Sequence, residues 1–480
     1  MQYEAAETAL KQVAQDHILR FWPKLSDQSR QKLLTQIAAL DLSLISQLAE
    51  SHVRQKPRTE IPTDIQPVDA YPRTPDPKRA DLYQRADQLG RQLLATGKVA
   101  AFLVAGGQGT RLGYAGPKGE FRVTPIKGKP LFQVFAEQLR AHGRDAKKPI
   151  PWFIMTSDAN DAATRDFFAR HNHFGFNKSD IFFFQQGLMP AFSLQGKLLL
   201  AEPDSLALSP DGHGGSLAAL SRSGALDDMA RRGIEHISYF QVDNPMVHCI
   251  DPLFLGLHAL TASEMSSKMI PKASPTEKVG NFVSVPAPDG PGSTANGRVV
   301  QVIEYSDLPE SLAKQTLPDG SPRLNAGSIA IHALTVSFVR RLTAGGRLDL
   351  PWHRAEKKVS FVDDKGATIA PKEPNAVKLE QFVFDALPLA KNAIVFTTDR
   401  AEEFSPVKNA EGPDSPQTCR RDQIRRAARW LTEAGIAIPQ KNNEPDAVIE
   451  ISPLLATSAP QLKTRNPSLS IPPGAQLYLE

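Results

Sequence analysis

Apolar residues recur every three or four positions through the first 54 residues, and after residue 98 they gather into short unbroken runs. In the first stretch, Leu10, Val13, His17 and Phe21 predict one helix. After Pro23, Ser26 or Asp27 can cap a second helix carrying Leu33, Leu34, Ile37, Leu40, Leu44, Ile45 and Leu48. An amphipathic pair of this kind packs on a main body. Pro57, Pro62, Pro67, Pro72, Pro75 and Pro77 follow without apolar periodicity. Proline has no N–H for a helix or ladder and favours extended backbone, so this stretch predicts a strap over a surface.

From residue 98 the pattern alternates. Val99 to Val104, Trp152 to Thr156, Ile181 to Phe184 and Ile237 to Val242 read as strands. Phe132 to His142, Ala162 to Asn172 and Leu217 to Arg232 read as the helices between them. Strands alternating with helices of this length imply right-handed crossover units and a mainly parallel sheet, hence an α/β fold. Further on, Phe282 to Val285, Val299 to Ile303 and Ser328 to Ile331 predict strands, with a hairpin whose tip is the Pro286 to Asn296 loop. Val377 to Leu389 reads as a helix, Ala393 to Thr397 as a strand and Arg420 to Ala434 as a helix leading into a short C-terminal module. The expected organisation is a helical N-terminal region with its strap over 1–97, a main domain over 98–410 and a small domain over 411–480.

Composition narrows the class. Hydrophobic residues make up 41% and charged residues 22% of the 480, which is ordinary globular usage. The formal charge of +4 is too small an excess, at this length, to argue for a nucleic-acid or anionic-membrane partner, and no protein partner is implied. Cys249 and Cys419 cannot build a disulfide framework and fit a reducing compartment. The first residues lack the apolar core of a signal peptide, and Val99 to Ala105 falls far short of a membrane span, so a cytoplasmic protein is expected.

Three places carry candidate chemistry. Leu103-Val-Ala-Gly-Gly-Gln-Gly-Thr-Arg-Leu-Gly113 follows the first strand, where open α/β sheets bind ligands. Glycines let backbone N–H groups approach oxyanions, and Arg111 adds fixed positive charge. The dinucleotide fingerprint fails, because Leu112 stands where its third Gly or Ala belongs, and the Walker pattern fails at Pro130. Lys118, in Gly116-Pro-Lys-Gly119, can neutralise charge on a phosphoryl group; taken alone it would be a solvated turn lysine. Asp243 ends the Ile237 to Val242 strand, a standard place for a carboxylate that holds Mg²⁺ beside phosphates, although a turn before Pro245 also explains it. Gly214-Gly-Ser-Leu-Ala218 does not complete a nucleophile elbow, and no zinc pattern is present.

Gly106-Gly-Gln-Gly-Thr-Arg-Leu-Gly113 with Pro117-Lys-Gly119 resembles the signature of the eukaryotic-type UTP–sugar-1-phosphate uridylyltransferases, most of all the UDP-N-acetylglucosamine pyrophosphorylases. The likeness continues in order through Phe183-Phe-Gln-Gln-Gly187, Pro210-Asp-Gly212, Val242-Asp-Asn244, Ile303-Glu-Tyr-Ser306 and Leu324-Asn-Ala-Gly327. It runs on through Val377-Lys-Leu-Glu380 and Phe404-Ser-Pro-Val-Lys-Asn-Ala410, with a fainter echo at Glu450-Ile-Ser-Pro-Leu-Leu455. The resemblance implies a nucleotide-diphospho-sugar transferase core, Rossmann-like with a mainly parallel mixed sheet, between a helical N-terminal region and a small C-terminal domain.

It also implies roles. Val104, Ala105, Gly106, Gly107 and Gly109 would wrap the nucleotide, and Gln186 and Gly212 would read the uracil edge. Arg111, Lys118 and Lys408 would be the catalytic cations, and Asp243 would hold Mg²⁺ near the ribose. Glu304, Tyr305 and Asn325 would face the sugar, and Lys378 its phosphate. One position departs from the amino-sugar branch, which usually has Asn where this chain has His213; Gly-His-Gly is more like the UDP-glucose and broad-specificity branches. The expected reaction joins UTP and a sugar 1-phosphate into UDP-sugar and pyrophosphate. N-acetylglucosamine 1-phosphate is the first choice of acceptor, and glucose or galactose 1-phosphate the alternative through His213. A catalytically silent nucleotide-sugar binder is the reading from another class, and the retention of Arg111, Lys118 and Asp243 speaks against it.

Overall fold

The computed structural model describes residues 1–57, 61–287, 297–465 and 469–480. The chain divides into two compact units, each assembled from three stretches. The larger takes 61–185, 217–348 and 384–480, and the smaller takes 1–60, 186–216 and 349–383.

The larger unit is built on a sheet with eleven strands among the described residues. Eight of them run in the order Ala70–Tyr71, Ile394–Thr397, Met265–Pro271, Ala326–Thr335, His236–Gln241, Val99–Val104, Trp152–Thr156, Ile181–Gln185. The last four are mutually parallel. Ala326–Thr335 runs antiparallel to both its neighbours, which makes the sheet mixed. Val99–Val104 is apolar throughout, because both sheet faces are covered and period-2 alternation has no solvent side to serve. Helix Leu131–Ala146 buries Phe132, Phe135 and Leu139 completely, the face its spacing predicts.

Two further helices meet at the backbone. Ala80–Ala95 and Pro252–Leu260 approach so closely that a Cβ on Gly90 would lie 1.8 Å from the Pro252 carbonyl oxygen. A Cβ on Gly256 would lie 1.7 Å from that of Ala86. The glycines are there for contact distance, not for turns.

Several elements differ from the pattern read along the chain. Leu217 to Arg232 is two helices, Gly215–Arg222 and Ala225–Arg231, parted by Gly224 at φ +78°. Asn281–Pro286 and Arg298–Ile303 pair antiparallel as the predicted hairpin, while residues 288–296 at its tip lie outside the described residues. The proline stretch does more than cross a surface. Gln66–Pro67 pairs with Ser284 and Val283, and Ala70–Tyr71 with Val395 and Phe396. A proline is tolerated on such an edge because it need not donate to the ladder.

The smaller unit holds the N-terminal helices. Tyr3–Gln12 ends before Val13, and the residues after it form short 3₁₀ turns instead of a continued helix. Ser26 caps Asp27–Ala38 by accepting from Ser29, and Asp41 then caps a separate helix, Leu42–Leu48. Leu10, Leu33, Ile37 and Leu48 pack there with Phe192, Leu200, Val377 and Leu379. Val377 to Leu389 is not one helix. Ala376–Glu380 is a strand paired with His353–Lys357, and a 3₁₀ segment containing Pro388 follows. The physical reason is period: Val377 and Leu379 are buried while Lys378 and Glu380 are not, an alternation of two.

The C-terminal module belongs to the larger unit. Helix Pro416–Glu433 opens with a Ser415–Thr418 capping box. It packs on the parallel pair Ala447–Ile451 and Ala475–Leu479 through Trp430, Leu431 and Ile449.

Candidate active site

The glycine loop leaves the end of the Val99–Val104 strand and is tied down through its carbonyls. Asn160 donates to Ala105 O at 2.9 Å and Gly107 O at 3.3 Å, and the Ser157 hydroxyl donates to Gly106 O at 2.9 Å. Gln108 donates to Ala159 O at 3.1 Å. Gly109 N–H then donates to Gly116 O, and Lys118 N–H to Gly107 O. Loop and lysine are therefore one folded turn, and the sequence reading did not single out Asn160, which is 1% exposed.

Asp243 stands just beyond the neighbouring strand, where Val242 N–H meets Val104 O at 3.1 Å. The Asp243 carbonyl accepts from Val407 N–H at 2.7 Å, which brings Lys408 alongside. Asn244 stitches the same junction: its Oδ1 accepts from Ser405 N–H at 3.2 Å, and its Nδ2 donates to Glu403 O at 2.6 Å. Asn244 and Glu403 have positioning roles that only the assembled structure reveals.

The electrostatics of Lys118 show which groups converge. Its side chain is buried, and that burial pushes its pKa down from the ordinary lysine value. Asp243 pulls it up, whereas Arg111 and Lys408 push it further down. Arg111 lies exposed on the Thr110–Leu112 turn. Asp243, Arg111 and Lys408 are thus all near enough to act on the Lys118 ammonium. Among the described residues, the carboxylate paired with Lys408 is that of Asp414, at 4.0 Å. A buried ammonium flanked by further cations is stabilised by a polyanion.

Other candidates in the larger unit form a second group. Asn325 Oδ1 accepts from Lys272 N–H at 2.8 Å at the end of the Met265–Pro271 strand. Glu304 follows the Arg298–Ile303 strand, its carboxylate beside Gly280, and Tyr305 is 46% exposed.

Gln186, Gly212, His213 and Lys378 all belong to the smaller unit. Asp211 N–H donates to Gly187 O at 3.1 Å, Gln381 N–H to Asp211 O at 2.9 Å and Gly214 N–H to Gln381 O at 2.8 Å. Gly212 has φ +87°, and a Cβ there would meet Gln381 O at 2.3 Å, so only glycine fits. His213 Nδ1 accepts from Val383 N–H at 3.1 Å, and its ring stacks on Phe382 at 5.1 Å, with His353 on the same phenyl ring at 4.3 Å. Burial, reinforced by His353, pushes the His213 pKa down to about 4, so it is neutral with its proton on Nε2. Lys378 projects from a strand, opposite Ala355, and does not open a helix.

The chain matches the model of the UTP–glucose-1-phosphate uridylyltransferase family over residues 45–413. The chain belongs to this family. A human UDP-N-acetylhexosamine pyrophosphorylase-like protein 1 is 36% identical, over 95% of this chain and 93% of that protein. The UDP-N-acetylglucosamine pyrophosphorylase of Saccharomyces cerevisiae is 39% identical over 73% of each chain. The crystal structure of the uridine diphosphate N-acetylglucosamine pyrophosphorylase from Trypanosoma brucei shares the fold, with a TM-score of 0.81, 23% identity and coverage of 99% of this chain and 98% of that one. No described helix is long and apolar enough to cross a membrane.

Mg²⁺ keeps most of its shell as water and substrate phosphate and takes one or two carboxylates from a protein, a chemistry that the Asp243 carboxylate could serve. The cluster of metal-ligand type among the described residues, His248 with Asp251 and Glu403, does not suit it. Lys268 fills that cluster, with Nζ 2.6 Å from Asp251 and 2.7 Å from Glu403. A cavity of about 860 Å³ nearby, lined by Arg91, His142, His248, Asp251 and Gln461 among others, contains none of the candidate residues.

Proposed function

We propose that the chain transfers the uridylyl group of UTP to N-acetylglucosamine 1-phosphate, forming UDP-N-acetylglucosamine and pyrophosphate. The observation that carries this reading is the turn that bonds Lys118 to the glycine loop, with Lys408 brought beside Asp243 and Asp243, Arg111 and Lys408 all acting on the Lys118 ammonium. Membership in the family, and relatives whose names specify N-acetylhexosamine or N-acetylglucosamine, support the acceptor.

An oxygen of the sugar phosphate attacks the α-phosphorus of UTP in line. The bond from that phosphorus to the bridging oxygen breaks, and pyrophosphate leaves with the electron pair. No side chain becomes covalently bound. The chain contributes position and charge: the glycine loop orients the phosphates, and Arg111, Lys118 and Lys408 neutralise charge building on the leaving group and the attacking phosphate. Asp243 would hold Mg²⁺, which supplies Lewis-acid neutralisation of phosphate oxygens when bound. Gln186 and Gly212 would read uracil; Glu304, Tyr305 and Asn325 would receive the sugar, and Lys378 its phosphate.

His213 supports a second acceptor reading, glucose or galactose 1-phosphate. Its neutral ring stands where the amino-sugar branch has Asn. Pyrophosphate release from UTP and Mg²⁺ with N-acetylglucosamine, N-acetylgalactosamine, glucose and galactose 1-phosphates separates these readings. Highest kcat/KM with N-acetylglucosamine 1-phosphate is expected. A preference for glucose or galactose 1-phosphate replaces the acceptor, and no release from protein that binds UTP replaces the enzyme with a binder.

A further inference from the structure

Lys118 is followed by a loop, Phe121 to Pro130, whose base is continuous with the lysine turn. Phe121 N–H donates to Lys118 O at 3.0 Å, Leu131 N–H to Phe121 O at 3.1 Å and Val123 N–H to Lys129 O at 2.9 Å. The loop is held at every level by the C-terminal module. At its tip, Ile126 and Lys127 N–H both donate to the same oxygen, Glu450 Oε2, at 2.7 and 2.8 Å. Along its stem, Arg420 donates to Arg122 O at 3.0 Å and Gln423 to Val123 O at 3.1 Å. At its far side, Lys129 Nζ donates to Glu137 at 2.6 Å and to the Tyr478 hydroxyl at 2.9 Å.

Glu450 lies on the Ala447–Ile451 strand, is 5% exposed, and leaves Oε1 without a hydrogen-bond partner. A buried carboxylate costs free energy unless its bonds are strong, and two backbone N–H groups on one ionised oxygen are charge-assisted bonds. Both bonds go to the loop backbone, which gives the group a positional use. It fixes a loop that would otherwise be a ten-residue surface connection. Through Phe121 that loop fixes Lys118.

We propose that Glu450 is a positioning residue for Lys118: the C-terminal module clamps the 121–130 loop so that the Lys118 ammonium stays aimed at the nucleotide phosphates. The inference rests on the role proposed above for Lys118. It makes the last 70 residues part of the catalytic apparatus even though none of their side chains need touch substrate.

The test is a double-mutant cycle on the full chain, using UTP, Mg²⁺ and N-acetylglucosamine 1-phosphate. Glu450→Ala lowers kcat/KM by ~10- to 100-fold, the scale of an ångström-sized misplacement of a catalytic group. Glu450→Gln keeps one oxygen for both N–H groups and restores most of that loss. In a Lys118→Ala background, Glu450→Ala changes kcat/KM by less than ~2-fold, because residues that act as a unit are not additive. Tyr478→Phe, a milder change that keeps the ring, gives a smaller loss with the same non-additivity and covers the case in which Glu450→Ala fails to fold. Equal losses in both backgrounds, or none in the wild-type background, overturn the inference. Full activity of Lys118→Ala alone strikes the underlying reading of Lys118 and removes the inference with it.

Discussion

Lys268 places its ammonium 2.7 Å from both carboxylate oxygens of Glu403, where the two side chains are 0% and 2% exposed. Asp251 completes the cluster at 2.6 Å and also caps the Pro252–Leu260 helix, while the Glu403 backbone receives Asn244, the neighbour of Asp243. Burial is the largest single influence and raises the Asp251 and Glu403 pKa values, but the Lys268 charge, its hydrogen bonds and His248 together outweigh it, holding Asp251 at about 2 and Glu403 below its ordinary value. Removing one member of a buried ionic cluster strands the others. Lys268→Met is therefore expected to lose ~3–5 kcal/mol of stability at neutral pH. Because Asp251 is depressed in the folded state, its contribution is full above about pH 4 and disappears as pH falls towards 2. Thermal melts from pH 7 to pH 3 should show the deficit of the variant shrinking on acidification. A constant deficit would mean that the ions do not titrate as a unit.

Lys118→Ala should lower kcat/KM by ~10²–10³-fold while leaving the melting temperature close to that of the parent. The side chain is buried, which disfavours its charge, and the attraction of Asp243 is opposed by Arg111 and Lys408, so its loss costs the free protein little. Steady-state kinetics with a melt of the same preparation checks this, and near-normal turnover would contradict it.

Asp243→Asn removes the charge that offsets the three cations. Activity should fall by at least ~10²-fold. The Mg²⁺ concentration for half-maximal rate should rise as well. An unchanged Mg²⁺ dependence would move the metal site away from Asp243.

His213→Asn should shift the ratio of kcat/KM values towards N-acetylglucosamine 1-phosphate over glucose 1-phosphate. A pH effect accompanies it. The folded pKa of His213 is depressed to about 4, so its contribution to stability is present above pH 6.5 and is lost as pH falls from there to 4. The melting temperature of the parent should drop more steeply across that window than that of the variant. Parallel curves would show that His213 charges without cost.

Gly90→Ala and Gly256→Ala each force a methyl group into a backbone carbonyl. Separation of the two helices should cost ~1–3 kcal/mol in either variant, visible as a lower melting temperature. An unaltered melt would imply that the helices pack further apart than they do here.

The sequence by itself determined the strands that build the sheet centre, because runs such as Val99–Val104 and Trp152–Thr156 have no polar alternative. It also marked the glycine loop, with Lys118 and Asp243 as candidates by their nearness to it, while Lys408 came only through the family resemblance. What it could not separate was period from composition in short segments. Val377 and Leu379 suit a strand or a helix, and only pairing with His353–Lys357 decided for the strand. Nor could it show partners distant in the chain. Glu450 opens the fainter Glu450–Leu455 echo, but nothing local says what it bonds; its two bonds go to backbone N–H groups 324 and 323 residues earlier. Lys268, Asp251 and Glu403 stand in no motif of the sequence, and only the fold brings them together away from water. Local pattern records what each residue does to its own backbone, whereas the cost of burying a charge is set by which remote groups the folded chain places around it.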